Sequence, residues 1–356
     1  MTVLSVEMLA AENGDCLWVE FGDPANPKVM LIDGGTQATE AALRAKIAAK
    51  TDGGKALHLE LVVCTHIDND HIEGLLGLLQ KLPPRLSIGD IWFNGRPQAQ
   101  NPAVLSVLEG EALSDLLGKG LLPWNLAVKG KALVIPDDGP LPVFQVGGMT
   151  LTLLSPTHAA MAELRKKWAS IAPWHDAVVA APFSEAVLGG PTMPQDMDEL
   201  KQLADLDAAK HVDPSPTNGS SIAFLAEYGD RSCLFAADAH ADILLGSIGR
   251  LCDDRKVTRL TVGALKVPHH GSKNNTSQAL IKQLDCGKYL ISTNGKQFKH
   301  PDAQAIARLL CYSRQPATLY FNYATEQTSP WKGWAIVGGP SVKTVYGSNG
   351  TLAVSI

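Results

Sequence analysis

Apolar positions alternate with polar ones, or run continuously, in short blocks broken by Gly, Pro and Asp. Residues 4–9 (LSVEML), 16–21 (CLWVEF) and 28–33 (KVMLID) are rich in Val, Leu and Ile and predict strands, with turn residues between them that suit hairpins. Residues 59–65 (LELVVCT) form a continuous apolar run, the pattern of a strand covered on both faces. Residues 38–50 and 73–82 predict helices, and 88–94 another strand. A helix is expected over 103–118 and a strand over 149–157. The alternation breaks over 158–217, where helix-like stretches at 158–170 and 195–209 flank a Pro-rich loop, so this reads as an insertion. Strands resume near Gly229-Asp230 and at 260–268. A helix (SQALIKQL), a strand (KYLIST), a helix (AQAIARLLCY) and the strands ATLYFNY, GWAIVG, KTVYG and LAVSI follow. Strands alternate with helices but hairpins are also present. That mixture predicts an α/β fold, a sandwich of two mixed sheets with helices outside, rather than a doubly wound sheet.

At 356 residues, 45% apolar and 19% charged, the chain has length and composition for a buried core and is not disordered. The formal charge of −5 argues against a generally basic coat for nucleic acid. No apolar run reaches the roughly 18 residues of a membrane span, and the N-terminus lacks a basic signal-like region. The six cysteines have apolar flanks and form no C-x-x-C pair, which suits reduced thiols and a cytoplasmic location.

The chemistry gathers at strand ends. After the apolar run, His66, Asp68, Asp70 and His71 arrive within six positions, ahead of a helix. Imidazoles and carboxylates at this density suit divalent cations, although a solvated loop with His71 capping the helix would also account for them. His269 and His270 follow another apolar strand. Asp238 and Asp33 end apolar strands, and His300 lies in a loop. If the strands share a pair of sheets, these ends converge on one rim. The remaining histidines (His58, His158, His175, His211 and His240) have no such setting and read as structural or surface residues.

The order Asp33, then THIDNDH, then Asp238, then VPHHGS resembles the metallo-β-lactamase fold superfamily. Asp68 stands where the most common motif has its second histidine, a departure shared with the branch that resembles the metallo-hydrolase domain of the DNA-uptake protein ComEC. ENGDCLWVEF, NGSSIAFLAEYGDRSCLFAADA, LKVPHHGSKNN and STNGKQFKHPD resemble further segments of that branch. The resemblance implies a metallo-β-lactamase-like αββα sandwich, a single domain over 1–356 with insertions at about 95–148 and 158–217. It implies two divalent ions, Zn²⁺ or Mn²⁺. His66 and Asp68 would bind the first, and Asp70, His71 and one of His269 and His270 the second. Asp238 would bridge them and Asp33 would orient a ligand. The other histidine of the 269–270 pair would face substrate. His300 would hold a substrate oxyanion at the rim, and Asp70 and His270 would join the catalytic set. The superfamily's third-motif histidine is missing, with Asn218 or Ser220 in that region.

The activity implied is metal-dependent hydrolysis of a phosphodiester, in nucleic acid or a nucleotide. Hydrolysis of a carboxylic ester, lactone or amide is the alternative enzyme class, and a binding module with a vestigial metal site the non-enzymatic one. Residues 250–300 carry ten Lys or Arg against three Asp. Lys266, Lys273, Lys296 and Lys299 flank the late motifs and predict a positive rim for an anionic small molecule or single-stranded nucleic acid, unless they are solvated faces. The insertion, with nine acids against five bases, is expected to cover the cleft, and its Trp168 and Trp174 serve as core anchors or as a stacking lid.

Overall fold

The structure is a computed structural model that describes residues 2–96, 108–170, 193–206, 212–336, 339 and 342–356. Its first sheet begins with an antiparallel meander of β1 (Val3–Met8), β2 (Leu17–Asp23) and β3 (Asn26–Ile32). β4 (Leu57–Val63) joins β3 in parallel, and β5 (Leu86–Ile88) and β6 (Ile91–Trp92) both pair with β4 in parallel. The second sheet starts with β7 (Val143–Val146), β8 (Met149–Ser155), β9 (Ala223–Tyr228) and β10 (Arg231–Phe235), all antiparallel neighbours. After a short two-residue strand, β11 (Leu260–Thr261), it continues in parallel through β12 (Ala264–Lys266). β11 instead pairs with β13 (Leu284–Asp285). β14 (Lys288–Ile291), β15 (Thr318–Phe321) and β16 (Lys343–Tyr346) complete the parallel half. The last strand, β17 (Leu352–Ser355), crosses back to pair with β1. Both sheets are therefore mixed, as the pattern of strands and helices predicts.

Period-two burial explains the sandwich. Leu4, Val6 and Met8 of β1 face one core with Leu151 and Leu153 of β8 and Leu225 of β9. Val29 and Leu31 of β3 face the opposite side and meet Leu43 and Ile47 of the helix Thr39–Lys50 and Leu75 and Leu78 of the helix Asn69–Gln80. In β4 the parity switches. Leu57 and Leu59 point to the helical side, Leu61 and Val63 to the sandwich. The cause is a register shift, in which Val29 pairs with Leu59 and its neighbour Met30 with Leu61. This bulge re-aims the strand immediately before the His66 loop.

Two expectations need correction, and one helix goes unread in the pattern. The single strand over 260–268 is two strands in different sheets. Gly263 sits between them, and a Cβ there would lie 2.8 Å from the Ser232 carbonyl oxygen. GWAIVG is not a strand over its described part: Trp331 is buried and Trp334 packs edge-on against it at 5.2 Å. The helix Ala241–Arg255, which the pattern reading passes over, covers the second sheet with Leu244, Ile248 and Leu251. The helix expected over 103–118 is described as Leu108–Gly118. Trp168 is an anchor and no lid: it is buried, packs with the helical-side core, and donates its indole N–H to Glu111 Oε1 at 2.6 Å. Trp174 lies outside the described residues. Among the described residues no helix is long and apolar enough to cross a membrane.

Candidate metal centre

The C-terminal ends of β3 and β4 in one sheet, and of β10, β12 and β14 in the other, open on the same rim. Asp33 follows β3, His66 follows β4, Asp238 follows β10 and the His269-His270 pair follows β12. Crevices at the carboxyl ends of parallel strands are the usual place for ligands in such folds. Several residues here adopt the left-handed backbone region that side chains disfavour. Asp33 (φ 58°), Ala237 (47°), His269 (47°), His270 (53°) and Lys299 (59°) all lie on this rim. Such strain costs of order 1–3 kcal/mol per residue and persists where the surroundings dictate the geometry.

Close approaches hold the rim together. A Cβ on Gly14 would lie 1.6 Å from the carbonyl oxygen of Asp70, and one on Gly34 2.0 Å from the amide of Leu75. Only glycine lets these two turns press against the start of the helix Asn69–Gln80. Gly34 donates its N–H to the His71 carbonyl at 2.8 Å, and Ser292 Oγ donates to the Gly14 carbonyl at 2.8 Å. The loop from β1 is thereby tied to both sheets.

At the centre is the buried Asp238. Its Oδ2 is 3.8 Å from His66 Nε2, 3.5 Å from His71 Nε2, 3.6 Å from His269 Nε2 and 3.7 Å from His270 Nε2. Each imidazole is fixed from behind through Nδ1. His71 Nδ1 donates to Asp33 Oδ2 at 2.8 Å, and His270 Nδ1 to the Ser292 carbonyl at 2.8 Å. His269 Nδ1 lies 2.9 Å from Asn275 Oδ1. His66 Nδ1 lies 3.0 Å from Thr65 Oγ1, which itself donates to Asp33 Oδ2. Once Nε2 is deprotonated, as metal binding requires, protons held on Nδ1 leave all four Nε2 atoms free to face the centre. Two of them, on His71 and His270, are 3.2 Å apart. A proton carried by His71, whose affinity for it Asp238 and Asp33 raise against the opposing effect of burial, or a metal ion between the two nitrogens would relieve that approach.

Carboxylates complete the ring. Asp68 Oδ2 is 3.6 Å from His66 Nε2 and accepts from Thr217 Oγ1 at 3.0 Å. Asp70 Oδ2 is 3.8 Å from His270 Nε2 and accepts from Asn13 Nδ2 at 2.9 Å. Donor atoms bound tetrahedrally at about 2.1 Å from one ion would stand about 3.4 Å apart, close to these separations. His66 Nε2, Asp238 Oδ1 and Asp15 Oδ1 are buried without a hydrogen-bond partner among the described residues. Such orphans each cost about 1–3 kcal/mol in a finished fold. The donors present therefore fit divalent cations, and they exceed what one tetrahedral ion can use.

The charges respond accordingly. Burial opposes ionisation of Asp238, yet His269, His270 and His71 hold its carboxyl well below the usual range. Burial raises Asp70, and the carboxylates of Asp238 and Asp68 add to the rise. The adjacent histidines diverge. Burial pushes His270 down to about 3, while for the less enclosed His269 burial is outweighed and Asp238 and Asp213 lift it to about 9.

All nine expected site residues lie on this rim. Asp33 sits behind His71. Both His269 and His270 bring Nε2 near Asp238 Oδ2, at 3.6 and 3.7 Å. His300 is one step out, its ring edge-on to His269 at 5.3 Å, and burial pushes it down to about 4. The positive rim needs correction. Lys266 is fully buried, with Nζ 2.7 Å from Asp15 Oδ2, so it is internal support and no part of a surface. Arg255 is paired with Glu227, and Lys288 donates to the Ser355 carbonyl at 2.7 Å, so part of the local positive excess is structural. Lys296 and Lys299, in the segment that precedes His300, are exposed.

Sequence reasoning missed Asp15, Asp213 and Asn275 as functional candidates. Asp15, His71, Asp238 and His270 can each bring one ligand atom within 4.8 Å of the others. Because Lys266 occupies one Asp15 oxygen and the other faces His270 Nδ1 at 3.6 Å, we read Asp15 as a support of His270. Asp213 accepts from Asn218 at 2.7 Å and Asn275 at 2.9 Å and lies 3.4 Å from His269 Nδ1. It comes from the end of the expected insertion, which thus feeds the site through Asp213 and Thr217. Of the histidines set aside, His240 tethers this segment through the Ser215 carbonyl at 2.9 Å, and His58 pairs with Ser87. His175 and His211 lie outside the described residues.

Residues 11–94 match the profile of the metallo-beta-lactamase superfamily, which spans Asp33 and the His66–His71 cluster. A comparison with curated proteins finds no match. Among solved structures, CmlA, a diiron beta-hydroxylase from Streptomyces venezuelae, is similar at 13% identity and a TM-score of 0.41, over 99% of this chain and 54% of that one. The chain thus spans about half the length of that relative. YhfI from Bacillus subtilis, a metallo-beta-lactamase fold protein, is similar at 10% identity and a TM-score of 0.40, over 99% of this chain and 100% of that one.

Proposed function

We propose that the protein is a dinuclear-metal hydrolase acting on a phosphodiester in a nucleotide or a single strand. The observation that carries the metal reading is the ring of four Nε2 atoms around Asp238 Oδ2, each imidazole pinned through Nδ1. His66, Asp68 and His269 would hold one ion, and Asp70, His71 and His270 the other, with Asp238 between them. A set of imidazoles and carboxylates without thiolate suits Zn²⁺ or Mn²⁺. Two such ions make water a nucleophile near neutral pH and offset charge on the attacking and leaving oxygens of an in-line displacement.

The protein's own groups supply the rest. Asp70, held by Asn13, is positioned to take a proton from the attacking water. His300, beside His269 at the rim, is positioned to donate a hydrogen bond to a substrate oxygen. Asp33, Asn275, Asp213 and the Ser292 carbonyl keep the imidazoles in one tautomer. Exposed Lys296 and Lys299 favour an anionic substrate. The test is a screen of metal-loaded protein on bis-p-nitrophenyl phosphate against p-nitrophenyl carboxylic esters and lactones, in Zn²⁺ and in Mn²⁺. Phosphodiester cleavage that weakens with added salt is expected. Robust ester or lactone turnover with no phosphodiester cleavage in either metal would overturn the substrate reading.

A further inference from the structure

The loop that leads from β14 to the helix Ala303–Tyr312 carries Asn294-Gly295-Lys296-Gln297-Phe298-Lys299-His300, and its one acid, Asp302, lies 3.6 Å from His300 Nδ1. The segment is anchored at its start. Asn294 donates its N–H to the Glu12 carbonyl at 2.6 Å, and Lys296 N–H bonds Asn294 Oδ1 at 3.0 Å. Phe298 remains 47% exposed, so its ring has apolar surface left that a ligand could cover with gain. Its ring is stacked on His300, with centroids 6.2 Å apart and planes 27° from parallel. His300 in turn meets His269 at 5.3 Å, and His269 Nε2 lies 3.6 Å from Asp238 Oδ2. Flat rings thus step from solvent toward Asp238, and Lys296 and Lys299, which flank Phe298 in the sequence, are exposed.

We propose that Phe298 is a stacking platform for a nucleobase, so that the phosphodiester substrate is a base-bearing one. A base laid on Phe298 would direct its sugar-phosphate toward His300 and the centre, while the two lysines neutralise phosphate charge. Every base offers a π-face, so the platform selects nucleotides over simple phosphodiesters without reading sequence. Single exposed apolar residues are common on protein surfaces. What sets Phe298 apart is its place at the head of an aromatic series that ends on a candidate ligand. The inference rests on the hydrolase reading above.

Two measurements separate the platform from the chemistry. In Phe298→Trp, the added indole fluorescence, taken relative to the parent chain, is followed during titration with adenosine monophosphate and with ribose 5-phosphate. Saturable quenching by the nucleotide alone is expected, and equal responses to both would overturn the platform. In Phe298→Ala, KM for a dinucleoside monophosphate should rise by about 5- to 150-fold, the range of one base–aromatic stack, with kcat little changed and with Phe298→Trp restoring KM. An abasic analogue should show no such rise. Dinucleotide cleavage indifferent to Phe298→Ala would refute the platform and leave the hydrolase reading standing. Nucleotide-specific quenching in a protein that cleaves no phosphodiester would support the platform and refute the hydrolase reading.

Discussion

Replacing Asp33 with Asn tests how the imidazoles are held. The side chains are isosteric, and Oδ1 can still accept the Thr65 N–H, now at 2.7 Å. The change falls on Oδ2, which accepts from Thr65 Oγ1 at 2.7 Å and from His71 Nδ1 at 2.8 Å. An amide N–H₂ there turns an acceptor into a donor. Thr65 can rotate its hydroxyl, but His71 can only answer by moving its proton from Nδ1 to Nε2. That proton then points at Asp238 Oδ2, 3.5 Å away, and the nitrogen is lost as a ligand. Changes to partners of this kind typically cost about 10–100-fold in metal affinity, or about 1.4–2.7 kcal/mol. Competition against a chromogenic chelator reads the affinity, and thermal melting of metal-free protein reads the fold. We expect weaker metal binding, with metal-free melting changed far less. Unchanged affinity, or an affinity loss matched by an equal loss of metal-free stability, would refute the tautomer argument. Asp33→Ala is harsher. It leaves Thr65 N–H and His71 Nδ1–H buried without acceptors, each costing about 1–3 kcal/mol.

Further outcomes follow from the same geometry. Asp238→Ala should lose most bound metal by elemental analysis, whereas His300→Ala should keep its metal and lose turnover; equal metal loss would contradict the two roles. Gly14→Ala drives a Cβ to 1.6 Å from the Asp70 carbonyl oxygen and should cost about 1–3 kcal/mol or more in denaturant unfolding. Lys266→Met strands the buried Asp15 charge and should cost about 3–5 kcal/mol, with added Asp15→Asn returning most of it. A double variant as unstable as the single one would show that pairing is not the cause. Chelation should lower the melting temperature, because an ion at a thousandfold excess over its Kd contributes about 4 kcal/mol to the folded state.

What was legible in the sequence was what is local. His66, Asp68, Asp70 and His71 share one strand-to-helix loop, and His269 and His270 another, so apolar runs followed by ligand-type residues expose them. Asp213 and Asn275 were not legible. They act on His269 from 56 and 6 positions away, through hydrogen bonds that exist only once the chain is folded. Lys266 misled for the same reason: a lysine beside a motif reads as surface until its partner Asp15, on a different sheet, is seen. The two-sheet architecture followed from periodicity. The division at Gly263 did not, because an apolar run carries no mark of a change of sheet.

Anomalous diffraction from metal-loaded crystals tests the central claim most directly. The account predicts two peaks about 3.5–4 Å apart on either side of the Asp238 carboxylate. One should touch His66, Asp68 and His269, the other Asp70, His71 and His270. A single peak, or ions bound away from Asp238, would contradict it.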